Sequence, residues 1–384
     1  MVPVAQGLYA LPTFAVTVLL ARYVSAAAVG EFMLYLGIYT TILGLFRAAV
    51  AEPYLATSKS ITVVDSGRFT ALAAQFALTL FTVGAALSLT VLSQTVAGLA
   101  FLVTAPMLIL HDSYRVVGFA SGTWSTLAGG DLVRLLTFCG IATAGVATGQ
   151  TTVFTLAYTL SCLPTAITFL LRARFRGSCS YARGLLRRLG GALLLEASLF
   201  HTFQRLYDFL VASVLGFGVL GQMRLATTVL GPVQIVTSGV GPSVLADHAV
   251  EPWPRSFRRH AALPLILCIT ASFLALSAAP ALSTLLSVSI PWPNVAIAGA
   301  ALTGTCANSA LLSILKRRSS GKAVVVARLA GVVAGAAALC LTSLLLSDSA
   351  ILILSTTAVS VGITTVAALL LCVRLHTGGR ATAS

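Results

Sequence analysis

Apolar residues run through this chain in blocks of about twenty, separated by short stretches of Gly, Pro, Ser and basic residues. A helix rises ~1.5 Å per residue, so each block has the ~20 residues needed to cross ~30 Å of hydrocarbon. The blocks predict twelve spans: Ala5–Tyr23, Gly30–Tyr54, Phe69–Leu87, Val91–Leu110, Leu127–Thr148, Val153–Leu171, Gly190–Leu215, Val219–Val244, Ala261–Leu282, Val295–Leu315, Ala323–Leu346 and Ala350–Val373. The connections are short; only Ser88, Leu89 and Thr90 part the third span from the fourth. The first block lacks the basic n-region and small-residue cleavage site of a secretory signal, which predicts a retained span.

One block carries polar residues inside its apolar run. In EASLFHTFQRLYDFLVASVLGFGVLGQMR, Glu196 to Arg224, the residues His201, Gln204, Arg205 and Asp208 step by i, i+3, i+4 and i+7 and so share one helical face. A charge at the centre of a lipid-facing helix costs ~2.5–3.5 kcal/mol, so this wet stripe is expected to face a bundle interior or a water-filled cavity. Arg205 and Asp208, one turn apart, also suit a structural pair that glues helices together, and the two roles are compatible.

Composition agrees with the pattern. The chain is 58% hydrophobic and 9% charged, with a mean hydropathy of +0.97, against about 25% charged residues in soluble domains. This is the profile of an integral membrane protein. The formal charge of +14 is spread through short loops between apolar runs, where a membrane explains it better than nucleic acid does. Seven cysteines are scattered without CxxC spacing or neighbouring His clusters, which supports neither a disulfide framework nor a metal site. Six read as small core residues; Cys179 lies in a basic loop.

The basic residues predict orientation. Lys59, Arg68, Arg115, the Arg172 to Arg188 group, the Arg255 to Arg259 group, the Lys316 to Arg328 group, Arg374 and Arg380 make 19 of the 24 Lys and Arg, and all follow even-numbered spans. Of these Arg328 already falls in the first turns of the next span. Odd connections such as residues 24–29, 216–218 and 291–294 contain none. By the positive-inside rule both termini are expected in the cytoplasm, in a multi-pass protein of the cytoplasmic membrane. The basic stretch 172–189 then divides the chain into a lobe at 1–171 and a lobe at 190–373, followed by a tail at 374–384. ARYVSAAAVGEFML from Ala21 faintly repeats as ASVLGFGVLGQMRL from Ala212, with Gly30 opposite Gly221. Because each lobe starts inside after an even number of spans, the repeats are parallel and sites are expected between the lobes.

LLARYVSAAAVGEFMLYLGIYTTILGLF, and more clearly RLYDFLVASVLGFGVLGQMRLATTVL, resemble the pattern of the polysaccharide and lipid-linked oligosaccharide exporters of the multidrug/oligosaccharidyl-lipid/polysaccharide superfamily. Helices one and seven of that family typically end in a short turn before a Gly followed by an aromatic residue; here Met223 and Arg224 replace the usual aromatic and apolar residues in the second copy. The resemblance implies two six-helix lobes in a V, alternating access, and flipping of a polyprenyl-linked glycan between leaflets. It also implies the bilayer, a lipid-linked glycan, a coupling ion (H⁺ or Na⁺) and glycan-synthesis enzymes as partners, and no cofactor. The multidrug branch carries an acidic residue in helix one, whereas Ala5 to Tyr23 has none, which disfavours proton-coupled drug antiport of the same fold.

The charges that topology leaves over are candidate site residues. Within or at the ends of spans, Arg22, Arg47, Arg134, Arg205 and Arg224 face Glu31, Glu52, Asp131, Glu196 and Asp208, with no positive excess. Arg47, Glu196, His201, Gln204, Arg205, Asp208 and Arg224 are the candidate cavity residues. Asp131 and Arg134, at i and i+3, are expected to form a structural ion pair. His201 suits either a buried hydrogen-bonding role or a proton relay beside Arg205. No phosphate loop or HExxH spacing is present. A membrane-embedded glycan polymerase or ligase would need a long charged outer loop, and on this topology Asp348 is the only charge outside.

Overall fold

A computed structural model describes residues 2–56, 63–90, 96–173, 178–185, 191–214, 216–246, 253–286, 292–317, 321–345 and 349–381. The chain is an all-α integral membrane protein, as its apolar blocks predict. In a bilayer every backbone N–H and C=O must be satisfied internally, and helices do this within one segment. Among the described residues, seven helices are long and apolar enough to cross a membrane.

The helices fall into two compact units, Met1–Gly190 and Gly191–Ser384. The first holds α1 (Val2–Tyr23), α2 (Ala26–Phe46), α3 (Glu52–Ala56), α4 (Val63–Thr90), α5 (Val96–Thr104), α6 (Pro106–Ser121), α7 (Trp124–Thr148), α8 (Thr151–Leu160), α9 (Leu163–Leu170) and α10 (Ser178–Leu185). The second holds α11 (Gly191–Val214), α12 (Phe217–Val229), α13 (Gly231–Ala246), α14 (Trp253–Phe257), α15 (Leu263–Leu286), α16 (Trp292–Arg317), α17 (Gly321–Leu345) and α18 (Ser349–Ala381). The described residues of each of the twelve predicted spans fall mainly on helix, and several spans are broken into two pieces. Proline accounts for the breaks, because it lacks an N–H and its ring clashes with the carbonyl four residues back. Pro106 opens α6, Pro164 sits in the first turn of α9 and Pro232 in that of α13.

Two breaks take the form of a π-helical turn. Residues Arg47–Ala51 widen so that the Glu52 N–H reaches the Arg47 carbonyl, five residues back, just before Pro53. Residues Arg258–Ala262 do the same ahead of Pro264. Such bulges re-aim the side chains that they carry, and the first of them carries Arg47.

Hydroxyls inside the spans bond back to the helix, as Thr17 does to the Thr13 carbonyl (2.8 Å) and Thr364 to that of Ser360 (2.8 Å). In the second unit α17 and α18 pack closely through small residues. A Cβ on Gly331 would lie 1.7 Å from Thr364 Oγ1 and 2.7 Å from the Ser360 carbonyl oxygen, and one on Gly335 would lie 2.7 Å from the Phe203 ring. Gly331 and Gly335 form a GxxxG face, the spacing that lets two membrane helices approach without lipid between them. Of the cysteines expected in the core, Cys162, Cys268, Cys306 and Cys372 are buried, but Cys139 and Cys340 are exposed. They lie on helix faces turned away from the protein, where a thiol is apolar enough for lipid.

Candidate functional site

Each unit buries its own ion cluster. In the first, α6 brings His111, Asp112 and Arg115 into the interior, where all three are nearly inaccessible. Asp112 meets Arg47 from the π turn, whose Nε–H donates to Oδ2 at 2.8 Å while a terminal nitrogen contacts Oδ1. The Tyr9 hydroxyl donates to the same Oδ1 at 3.4 Å. This is a forked guanidinium–carboxylate contact, the geometry that makes Arg stronger and more specific than Lys. The Arg47 side chain is 43% exposed against 3% for Asp112, so its outer edge stays within reach of a ligand.

Asp131 on α7 lies deeper. Its oxygens are 3.2 Å from His111 Nε2 and 3.2 Å from Arg115 Nε, contacts that fall short of aligned hydrogen bonds. His111 turns its other ring nitrogen to Thr165 Oγ1 at 2.8 Å. The expected Asp131–Arg134 pair is corrected here: both residues are buried, but the ion partners of Asp131 come from α6. The reason is the placement of α6, which sets Arg115 directly against Asp131, while aromatic faces receive Arg134. Its guanidinium carbon lies 5.4 Å from the centroid of Tyr9 and 5.2 Å from that of Tyr158, and that of Arg115 lies 3.8 Å from Tyr9. Tyr9 thus offers its π face to two cations, a contact that strengthens when water is excluded.

In the second unit α11 carries two ion sites, one at Asp208 in the wet stripe and one at Glu196 ahead of it. Asp208 is held between Arg205, on its own helix, and Arg224 on α12. Glu196, three turns earlier, is held between Lys316 Nζ at 3.2 Å, in the last turn of α16, and Arg328 Nε at 2.5 Å, about two turns into α17. Arg328 also lies over the Phe200 ring, 4.2 Å from its centroid. A cavity of about 110 Å³ opens beside both sites, lined by Asp208, Arg224, Arg328, Phe200, Phe203 and Ser360 among others. Of the residues predicted to line a substrate cavity, Asp208 and Arg224 line this one, which lies within the second unit. Glu196, His201 and Arg205 are not among its lining residues, and Arg47 belongs to the other unit. The side chain of Gln204 lies outside the described residues.

The charges gathered in the clusters are a different set from the five cations and five carboxylates tallied along the spans, because the structure adds Asp112, Arg115, Lys316 and Arg328 to them. Among the described residues of the two clusters, seven cations (Arg47, Arg115, Arg134, Arg205, Arg224, Lys316 and Arg328) face four carboxylates (Asp112, Asp131, Glu196 and Asp208). Sequence alone places His111, Asp112, Arg115, Lys316 and Arg328 in loops or among the charges that set topology, and the structure brings them into the clusters. Glu31 stands apart from either cluster and accepts a hydrogen bond from the Tyr35 hydroxyl at 2.9 Å. Among the described residues no group of His, Cys, Asp and Glu has the arrangement of a metal site.

No protein family matches the sequence, and no curated protein matches it. Solved structures match the fold. An outward-facing multidrug resistance MATE family transporter of the MOP superfamily superposes with a TM-score of 0.68 at 11% identity, covering 99% of this chain and 97% of that one. A MOP superfamily transporter from Pyrococcus furiosus, described as having a binding pocket of reverse polarity that suggests a different function, gives 0.68 at 12%, covering 98% and 94%. A MATE transporter from Vibrio cholerae gives 0.61 at 15%, covering 98% and 95%. The chain therefore has the fold of these MOP superfamily transporters over nearly its whole length.

Proposed function

We propose that this protein is a transporter that moves an anionic, lipid-linked glycan precursor across the cytoplasmic membrane, with the two units serving as the lobes of an alternating-access cycle. The observation that carries the reading is the cationic excess of the buried clusters. Every carboxylate in them is held by Arg, Lys or His, and guanidinium edges remain at Arg47 and Arg224. A diphosphate linkage suits such edges, since the planar fork matches phosphate oxygens. A site built for a cationic drug would leave carboxylate unpaired instead. The fold supports transport, and the polarity supports an anionic cargo within it.

The test is a deletion strain analysed by leaflet and mass. Loss of the protein should leave the polyprenyl-linked intermediate fully assembled on the cytoplasmic leaflet; an intermediate found outside and unpolymerised would place the protein downstream and favour a glycan-joining enzyme. Orientation follows the basic loops, with both termini inside. Reporters active only outside the cell should be silent when fused after Arg176 or Arg318 and active after Gly218 or Asn294, and the reverse pattern would overturn the orientation.

A further inference from the structure

We propose that the cavity inside the second unit is a binding site for a phosphate-type oxyanion. It lies wholly within residues 191–384, between α11, α12, α17 and α18. The inference deepens the transport reading by naming a phosphate subsite, and it rests on that reading only for the source of the phosphate.

Charge comes first. Among the described residues three ionic side chains line the cavity: Arg224, Arg328 and Asp208. The one carboxylate is already shared by two guanidiniums, Arg205 and Arg224. Arg328 is held by Glu196, which does not line the cavity. Among the described residues the wall facing the space therefore carries two cations and a single, saturated anion, which favours an anionic occupant.

Donor geometry comes second. A guanidinium has five N–H donors in a fixed fork. Arg328 gives its Nε–H to Glu196 at 2.5 Å and Arg224 one terminal nitrogen to Asp208, so each has further N–H donors beyond the one given to its carboxylate. The hydroxyls of Thr227 and Thr364, also in the lining, donate to the carbonyls of Arg224 and Ser360 at 2.8 Å each. The charged donors are then the two arginines. This favours a polyoxygen anion over a lone halide, because two guanidiniums on different helices line one space and each can give N–H donors to more than one acceptor. Phe200, Phe203, Met223, Val332 and Val361 supply an apolar flank, which suits a phosphate carried on a hydrocarbon as well as a free one.

Size comes third. The volume of about 110 Å³ is below the ~150 Å³ of an engineered cavity that holds benzene. It admits one phosphate group, and a glycan would have to stay outside.

The experiment uses the full-length protein purified in detergent in a phosphate-free, low-salt buffer. Inorganic phosphate should raise its melting temperature saturably, and chloride at the same ionic strength should not. A short-chain prenyl phosphate that competes with inorganic phosphate would identify the group as the phosphate of a lipid; stabilisation by inorganic phosphate without such competition would identify a free-anion site. Arg328→Lys and Arg224→Lys keep charge against Glu196 and Asp208 but lose the fork, and each should weaken phosphate by at least about tenfold, one charge-assisted hydrogen bond. Val332→Phe, which fills the cavity, should abolish binding while a monodisperse elution profile reports the fold. No saturable phosphate effect on the folded wild type would overturn the proposal, as would one left unchanged by Val332→Phe and both lysine variants. Because binding is read without a membrane, this outcome is separate from the leaflet analysis that tests transport.

Discussion

The ion clusters of the two units differ in how tightly they are closed. In the first, His111, Arg115 and Asp131 have side-chain exposures of 1%, 4% and 0%, and rings of Tyr9 and Tyr158 cover the cations. In the second, Arg205 and Arg224 are 15% and 29% exposed, and a cavity runs alongside. Similar residue types thus serve two ends. A sealed cluster fixes the packing of α1, α6 and α7, with Arg47 as its one open arm, while a loosely closed one leaves donors for a ligand. The distinction could not be drawn from charge alone, since both clusters have more cations than carboxylates.

The sharpest way to break this comparison is to remove the sealed carboxylate. Asp131→Ala removes the buried carboxylate that Arg115 and His111 both contact, a loss of ~3–5 kcal/mol for a broken buried pair. Folded, monodisperse protein should largely disappear from size-exclusion profiles. Normal yield and melting temperature would show that the first cluster is not what holds its helices together.

A second test exchanges charges in the open cluster. Swapping Arg205→Asp together with Asp208→Arg preserves a pair on α11, yet it sets the new arginine against Arg224 on α12. The double variant should therefore fold poorly, and adding Arg224→Asp should recover most of the yield. Full stability of the double variant would mean that Arg224 contributes nothing to the triad.

Gly331→Ala is expected to act more mildly and only on helix packing. Its Cβ would meet Thr364 Oγ1 and the Ser360 carbonyl, and overpacking of this kind costs about 1–3 kcal/mol. The melting temperature should fall by several degrees with the ion clusters intact. The smallest effect on stability is expected for Arg47→Lys, which keeps the charge beside Asp112 but loses the fork. Yield should stay near wild type while transport drops several-fold, and an unchanged rate would remove Arg47 from the cargo path.

Much of the fold is legible because hydropathy writes membrane helices directly into sequence. The α11 stripe is legible too, since a lipid-facing helix cannot carry charged residues at helical spacing without a large insertion cost. The first cluster escapes a sequence reading for a physical reason. The polar run HDSYR reads as the end of the fourth span at Leu110, although Pro106 starts a new helix that carries His111, Asp112 and Arg115 inward to Ser121. The signal is present: His111 and Arg115 are four apart and followed by apolar Val116 and Val117, the same periodicity that marks α11. Arg328 and Lys316 read as topological charges because Glu196 lies 132 positions from Arg328, and no local spacing announces a contact between helices so distant in sequence. The Asp131–Arg134 pairing fails for the complementary reason, as local spacing favours a pair where a neighbouring helix supplies closer partners.

The central claim, that a cationic interior moves an anionic cargo, is tested most directly in proteoliposomes. Purified protein should be compared for the rate at which it flips a prenyl-diphosphate oligosaccharide and a neutral glycolipid with the same chain and sugars, in the presence and absence of a proton or sodium gradient. The account predicts that the diphosphate is flipped many times faster than the neutral analogue, and that Arg47→Gln and Arg224→Gln erase the difference. Equal rates for the two lipids, or preferential export of a cationic amphiphile, would contradict it.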